Sequence, residues 1–366
     1  MTNEKLLPGE LVYWLDKTIL VDQEIKNVTE FIKFLEELLD QEKSVQQSTE
    51  NIGTITHALG KALFFTGQID KLLDDCWQYE GAGITIYRAM ALLLKGLSRD
   101  CLDLLDFDHQ FFILENELKL EIAGATAFAN SALRNEIEVF RIHGLAAEIV
   151  RSSPEYLNSY LWCLERYAYN LRSQNQLNLA RESYNRLLDY CLNTNTIIFR
   201  TLGYKGLGHL AEHENDYERA LAFYDRALYV SNQYGLTVFD PIILNRKGIS
   251  VTGSDRDLEK ARSIFESALE KARQINAPWL ELGPLANLAS ISAQEWKLEE
   301  ARDDFIFLRD FQREFGDKKD LYWILMNLAA IDTALGNKGE SKRHLHEANH
   351  IQEQYKIDNT NRHVYR

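Results

Sequence analysis

Proline is scarce in this chain: five residues in 366, at positions 8, 154, 241, 278 and 284. Long stretches are therefore free of the residue that most disrupts helices, which favours an all-helical protein. Cysteine is scarcer still. Cys76, Cys101, Cys163 and Cys191 stand far apart and form no C-x-x-C pair, so neither a zinc knuckle nor a disulfide framework is expected, and buried thiols in a reducing compartment are. Positive charge is also short, with a formal net charge of −14. That argues against a nucleic-acid partner held through its phosphates and against attraction to an anionic membrane. No run approaches the roughly 18 apolar residues of a membrane helix. The opening MTNEKLLPGELVYWLDK puts acids and a proline where a signal peptide needs a basic region and an unbroken apolar one, so the expected location is the cytoplasm.

What is present is a rhythm of forty residues. Five segments carry a small residue, a large one four positions later and an apolar one three after that: Ala180/Tyr184/Leu187, Ala220/Tyr224/Ala227, Ala261/Phe265/Ala268, Ala301/Phe305/Leu308 and Ser341/Leu345/Ala348. Twelve or thirteen residues before each set lies another small residue: Ala168, Gly208, Gly248, Ala289 and Ala329. Small residues at such positions let two helices of a hairpin approach closely, and polar turns such as ENDYERA and GSDRDLE separate them. A single hairpin cannot bury its apolar face, so the units must stack.

Leu207, Gly208, Ala220, Tyr224 and Ala227 resemble the tetratricopeptide pattern, in which a helix A carries L-G-x-x-Y and a helix B carries A-x-x-x-F-x-x-A. A spacing of 40 rather than 34 residues is similar to the long-helix variety found in kinesin light chains, spindle-orientation adaptors and Rap-type peptide-responsive regulators. The resemblance implies an all-α fold, a right-handed superhelix or α-solenoid of helical hairpins. The expected organisation is a helical N-terminal region over 1–115, which caps the array or carries a second surface; an array over 116–355, with five clear repeats from about 157; and a polar tail over 356–366. THALGKALFFTGQIDKLLDD reads as a divergent hairpin within the first of these.

Two metal-like motifs need weighing. His346-Glu347-Ala348-Asn349-His350 fits H-E-x-x-H, but it falls on the outer faces of a helix B whose packing positions are Leu345 and Ala348, and Glu353 and Lys356 stand where an extended zinc motif needs glycine and histidine. His209-Leu210-Ala211-Glu212-His213 fits the inverted pattern on a helix A. Both read as polar helix faces. No metal, cofactor or catalytic residue is expected, and the chain reads as a non-enzyme.

In folds of the resembled kind, helix A lines the concave surface. Its non-packing positions are Arg166, Tyr169 and Arg172; Lys205, His209 and His213; Asn245 and Arg246; Asn287, Ser290 and Gln294; and Asn327, a set without a carboxylate. Amides supply both donor and acceptor to an extended backbone, whereas Arg and Lys favour acidic side chains or a terminal carboxylate. Tyr169 and Trp162 offer rings for stacking on a ligand side chain, although aromatic residues at helical spacing are more often core. The expected partner is a protein segment or peptide with acidic side chains or a free C-terminus. The expected role is a scaffold or adaptor, or alternatively a regulator that a short oligopeptide in the groove switches.

Overall fold

The computed structural model describes residues 28–355 apart from 45–48, 75, 77, 78, 195, 255, 256, 316 and 317, so the expected tail over 356–366 and the first 27 residues lie outside it. Every regular element among the described residues is helical. The helices are α1 (Val28–Ser44), α2 (Thr49–Phe65), α3 (Ile69–Asp74), α4 (Ala82–Leu94), α5 (Ser98–Leu105), α6 (Phe107–Ile113), α7 (Asn116–Ala132), α8 (Glu136–Ser152) and α9 (Leu157–Ser173). They continue as α10 (Leu177–Thr194), α11 (Ile198–His213), α12 (Tyr217–Tyr234), α13 (Asp240–Ser254), α14 (Leu258–Gln274), α15 (Pro278–Gln294), α16 (Leu298–Phe315), α17 (Lys318–Ala334) and α18 (Lys338–Tyr355). Two single 3-10 turns, Pro154–Tyr156 and Thr237–Phe239, lead into α9 and α13.

The hairpins form where the small and large residues predict them. A Cβ added to Gly208 would lie 2.6 Å from the Tyr224 ring, and one added to Gly248 would lie 2.5 Å from the Phe265 ring. In each crossing the aromatic side chain of helix B therefore lies against the backbone of helix A, a contact that any larger residue would break. Tyr184, Tyr224, Phe265 and Phe305 are all buried. The turn from helix A to helix B is equally regular. Arg134, Asn175, Asn215, Trp296 and Gly336 each adopt positive φ, spaced by one period of about forty residues or, between Asn215 and Trp296, by two. Gly67 and Gly96 play the same part after α2 and α4, so hairpins extend upstream of the clear repeats. Asp216 and Asp257 then cap α12 and α14 by accepting from the backbone N–H groups of Arg219 and Lys260, at 3.2 and 2.9 Å.

The chain divides into two compact units, Met1–Ile243 and Leu244–Arg366. In the first, the core is aromatic. Trp162 of α9 is ringed by Phe64 and Phe65 of α2, Tyr87 of α4, Phe128 of α7 and Phe199 of α11, with centroids 5.5–6.5 Å apart. Phe65 also meets Phe239, and the Thr237 hydroxyl donates to the Thr66 carbonyl at 2.9 Å. Of the two readings of Trp162, core or ligand-stacking ring, the core one holds, because α2 packs Phe64 and Phe65 against it. In the second unit, Ala261, Phe265 and Ala268 of α14 are fully covered, and Leu321, Tyr322 and Leu325 of α17 pack on Ala348 and Ile351 of α18.

One packing expectation needs correction in that last hairpin. Leu345 is 38% exposed, and His344 is buried in its stead. The His344 Nδ1 lies 3.0 Å from Asp332 Oδ2, and its Nε2 lies 3.4 Å from Arg309. Adjacent residues on a helix point about 100° apart, so seating the imidazole turns the leucine outward.

Candidate binding faces

The first unit places Arg166, Tyr169, Arg172, Lys205, His209 and His213 on α9 and α11. Arg166 and Lys205 are only 5% exposed and His209 only 7%. The reason is a carboxylate missing from the predicted set. Glu165 stands forty residues before Lys205 and so occupies the same helical position; it is fully buried. It accepts from the Arg166 guanidinium and, at 3.1 Å, from Lys205 Nζ. Burial opposes its ionised form, but Arg166 and then Lys205 hold its carboxyl below the usual range. Burial in turn pulls the Lys205 ammonium down against the attraction of Glu165.

Outward from this triad the face becomes accessible. Arg166 lies over the rings of Phe128 and Tyr169 at 4.5 and 4.8 Å, and Arg172 lies over Tyr169 at 5.0 Å. Tyr169 and Arg172 are half-buried, His209 approaches the Tyr169 ring at 6.3 Å, and His213 is exposed at the end of α11. Glu212 accepts from the Tyr224 hydroxyl at 2.9 Å, which gives the H-x-x-E-H glutamate a partner in the hairpin crossing.

A second buried network was not foreseen. Glu121 of α7 meets His57 Nε2 at 2.7 Å, the Tyr87 hydroxyl at 2.9 Å and Lys61 Nζ at 3.4 Å, with His57 and Lys61 one turn apart on α2. Burial opposes ionisation of Glu121, and His57 and Lys61 outweigh it, holding the carboxyl well below the usual range. These partners stand 34 to 64 residues from Glu121 in sequence, and no repeat position marks them.

In the second unit, Asn245, Arg246, Asn287 and Asn327 are half-buried and Gln294 is exposed. Asn287 Nδ2 donates to Asn245 Oδ1 at 2.8 Å and to the Gly283 carbonyl at 3.1 Å. Asn245 fits because residue 283 has no side chain: a Cβ there would lie 2.7 Å from Asn245 Nδ2. Asn327 donates to the carbonyl one turn back, that of Trp323, at 2.9 Å. Near the C-terminus, Glu347 is held by Arg313 at 2.6 and 3.2 Å, while His346 and His350 are exposed. Among the described residues no three His, Cys, Asp or Glu side chains are placed to hold a metal ion.

No family model and no curated protein matches the sequence. Solved structures do match. A Rap protein complexed with competence and sporulation factor aligns with a TM-score of 0.63 at 12% identity, covering 95% of this chain and 99% of that one. NprR in complex with its cognate peptide NprX aligns at 0.61 and 17% identity, covering 94% and 98%. The Cut9–Hcn1 hetero-tetramer of APC/C aligns at 0.59 and 14% identity, covering 95% and 65%. The all-α fold of the chain is thus that of the tetratricopeptide-type helical repeat proteins.

Proposed function

We propose that the chain is a non-enzymatic binding protein that takes an extended segment of another protein against the helix-A faces of its repeats, acting inside the cell. The observation that carries this is the Asn245–Asn287 bond. It uses the Asn245 carbonyl, and both N–H groups of Asn287 are spent on Asn245 and Gly283. The Asn245 NH2 remains as donor and the Asn287 carbonyl as acceptor, one of each, side by side. An extended peptide residue presents one N–H and one C=O, the complement of that pair. No described helix is long and apolar enough to cross a membrane.

A second reading is a switch that a short oligopeptide operates. It is favoured by the alignments to a Rap protein and to NprR, both solved with a peptide or factor bound, which cover 99% and 98% of those chains. Small-angle scattering with and without a bound peptide separates the two: a scaffold keeps its radius of gyration, and a switch changes it.

The direct test selects binders from a random decapeptide display library against the full chain, then measures affinity by calorimetry. Replacing Asn245 and Asn287 together with alanine removes two hydrogen bonds to the ligand, at about 0.5–1.5 kcal/mol each, and is expected to weaken binding about tenfold or more with helicity unchanged. Unchanged affinity would remove the amide pair from the site. Charge reversal at Arg166 or Lys205 is not a test of binding, since it would set a second carboxylate beside buried Glu165 and destabilise the fold itself.

A further inference from the structure

In the first unit, beside the Glu165 triad, two donors end without an acceptor. Arg172 Nε and the Tyr184 hydroxyl have no hydrogen-bond partner, whereas Arg166 turns its guanidinium to Glu165. These groups share one locality: Arg166 and Arg172 stack on the same Tyr169 ring, and the Tyr184 ring lies against residue 206, the neighbour of Lys205. Tyr184 reaches it because residue 206 is glycine. A Cβ on Gly206 would lie 2.1 Å from the tyrosine ring, whereas the corresponding positions 246, 287 and 327 carry Arg, Asn and Asn. Arg166 and Lys205 already share the one carboxylate, Glu165, and Arg172 adds a third cation over the Tyr169 ring that Arg166 also touches.

A buried donor without a partner is costly, and a locality with two of them and surplus positive charge is complementary to an oxyanion. The Tyr169 ring fixes both guanidiniums by stacking, which spares a ligand the entropy of ordering them. Tyr169 and Arg172 are half-buried, so the locality borders the accessible face.

We infer that this locality is an oxyanion site in which Arg172 and Arg166, with the Tyr184 hydroxyl behind them, take a carboxylate. Resting on the proposed binding function, the carboxylate is that of an acidic side chain or C-terminus of the bound segment. Free phosphate carries the same chemistry, and the test separates the two sources.

The experiment follows the arginine Nε–H signals of the full-length protein by ¹H–¹⁵N NMR while sodium acetate or inorganic phosphate replaces chloride at constant ionic strength. The Arg172 and Arg166 signals are expected to shift saturably with one or both anions. Arg172→Gln should weaken that response at least tenfold at the remaining Arg166 signal, and Arg172→Lys should recover part of it, with circular dichroism unchanged in both. Shifts no larger than those in chloride, or an undiminished response in Arg172→Gln, would overturn the site. A blocked pentapeptide with one central glutamate, set against its glutamine counterpart, then identifies the source. Binding at least tenfold tighter than acetate assigns the carboxylate to a peptide. Binding no tighter than acetate leaves the anion site standing and removes the peptide from it, and a preference for phosphate assigns the site to the free ion.

Discussion

His143 shows how far a single side chain can set the behaviour of its surroundings. Its ring stacks on Tyr167 with centroids 3.6 Å apart, and its Nε2 lies 2.5 Å from the Tyr160 hydroxyl. Burial, together with the charge of Arg186, pushes the imidazole down to about 4. In the unfolded chain a histidine titrates near 6.5, so between pH 6.5 and pH 4 the unfolded state binds more protons and stability falls as pH is lowered. The loss starts near 6.5 and is complete near 4, on the order of 2 kcal/mol. Glu121 and Glu165 act in a different window: their carboxyls are held down, so their contribution persists until the pH drops below the ordinary carboxylate range near 4. Urea unfolding of wild type and His143→Gln at pH 7.5 and pH 5 therefore distinguishes them. The variant is expected to lose less stability over that interval, and equal losses would assign the pH dependence elsewhere. None of this was legible in the sequence, where His143 bears no repeat signature. Glu165 was closer to view. It stands at the position of Lys205 one repeat earlier, and reading that column strictly would have placed a carboxylate among the cations.

At the scale of the element, the crossing of helix A and helix B makes the same substitution act with opposite sign at two glycines. Alanine is favoured over glycine inside a helix by about 1 kcal/mol. Gly144 lies exposed in α8 with nothing within 4 Å of an added Cβ, so Gly144→Ala is expected to stabilise by about 0.5–1 kcal/mol. Gly206 lies in α11 with the Tyr184 ring 2.1 Å from the same point, and that ring is buried with nowhere to go. Overpacking costs about 1–3 kcal/mol and outweighs the gain in propensity, so Gly206→Ala is expected to destabilise. Thermal melts of the two variants check both signs. The hairpins themselves were readable because they depend on contacts between residues sixteen or seventeen apart, such as Gly208 with Tyr224 and Gly248 with Phe265, which recur with the period. The last hairpin departs from its pattern because His344 answers to Asp332 and Arg309, partners that a small–large–small template does not contain.

For the molecule as a whole, a stack of hairpins gains its stability from each hairpin and its immediate neighbours, so damage should stay local. The two compact units sharpen that expectation. What the sequence did not convey is that the first unit has a core of its own, with α2 and α4 packed by Phe64, Phe65 and Tyr87 onto Trp162. Residues so distant in sequence share no period, and only the fold brings them together. Phe265 is fully buried against Gly248 in the second unit, and truncating a core phenylalanine costs about 3–5 kcal/mol. Hydrogen exchange of Phe265→Ala read by mass spectrometry is expected to show α14 and α15 losing protection by two or more orders of magnitude, since each 1.4 kcal/mol of local stability is worth a factor of ten. Helices α2, α4 and α9 should exchange as in wild type, because their protection rests on the aromatic cluster and the Glu121 and Glu165 networks. Equal loss of protection in both units would mean that the chain unfolds as one cooperative block and that the periodic core, rather than the division into units, governs its stability.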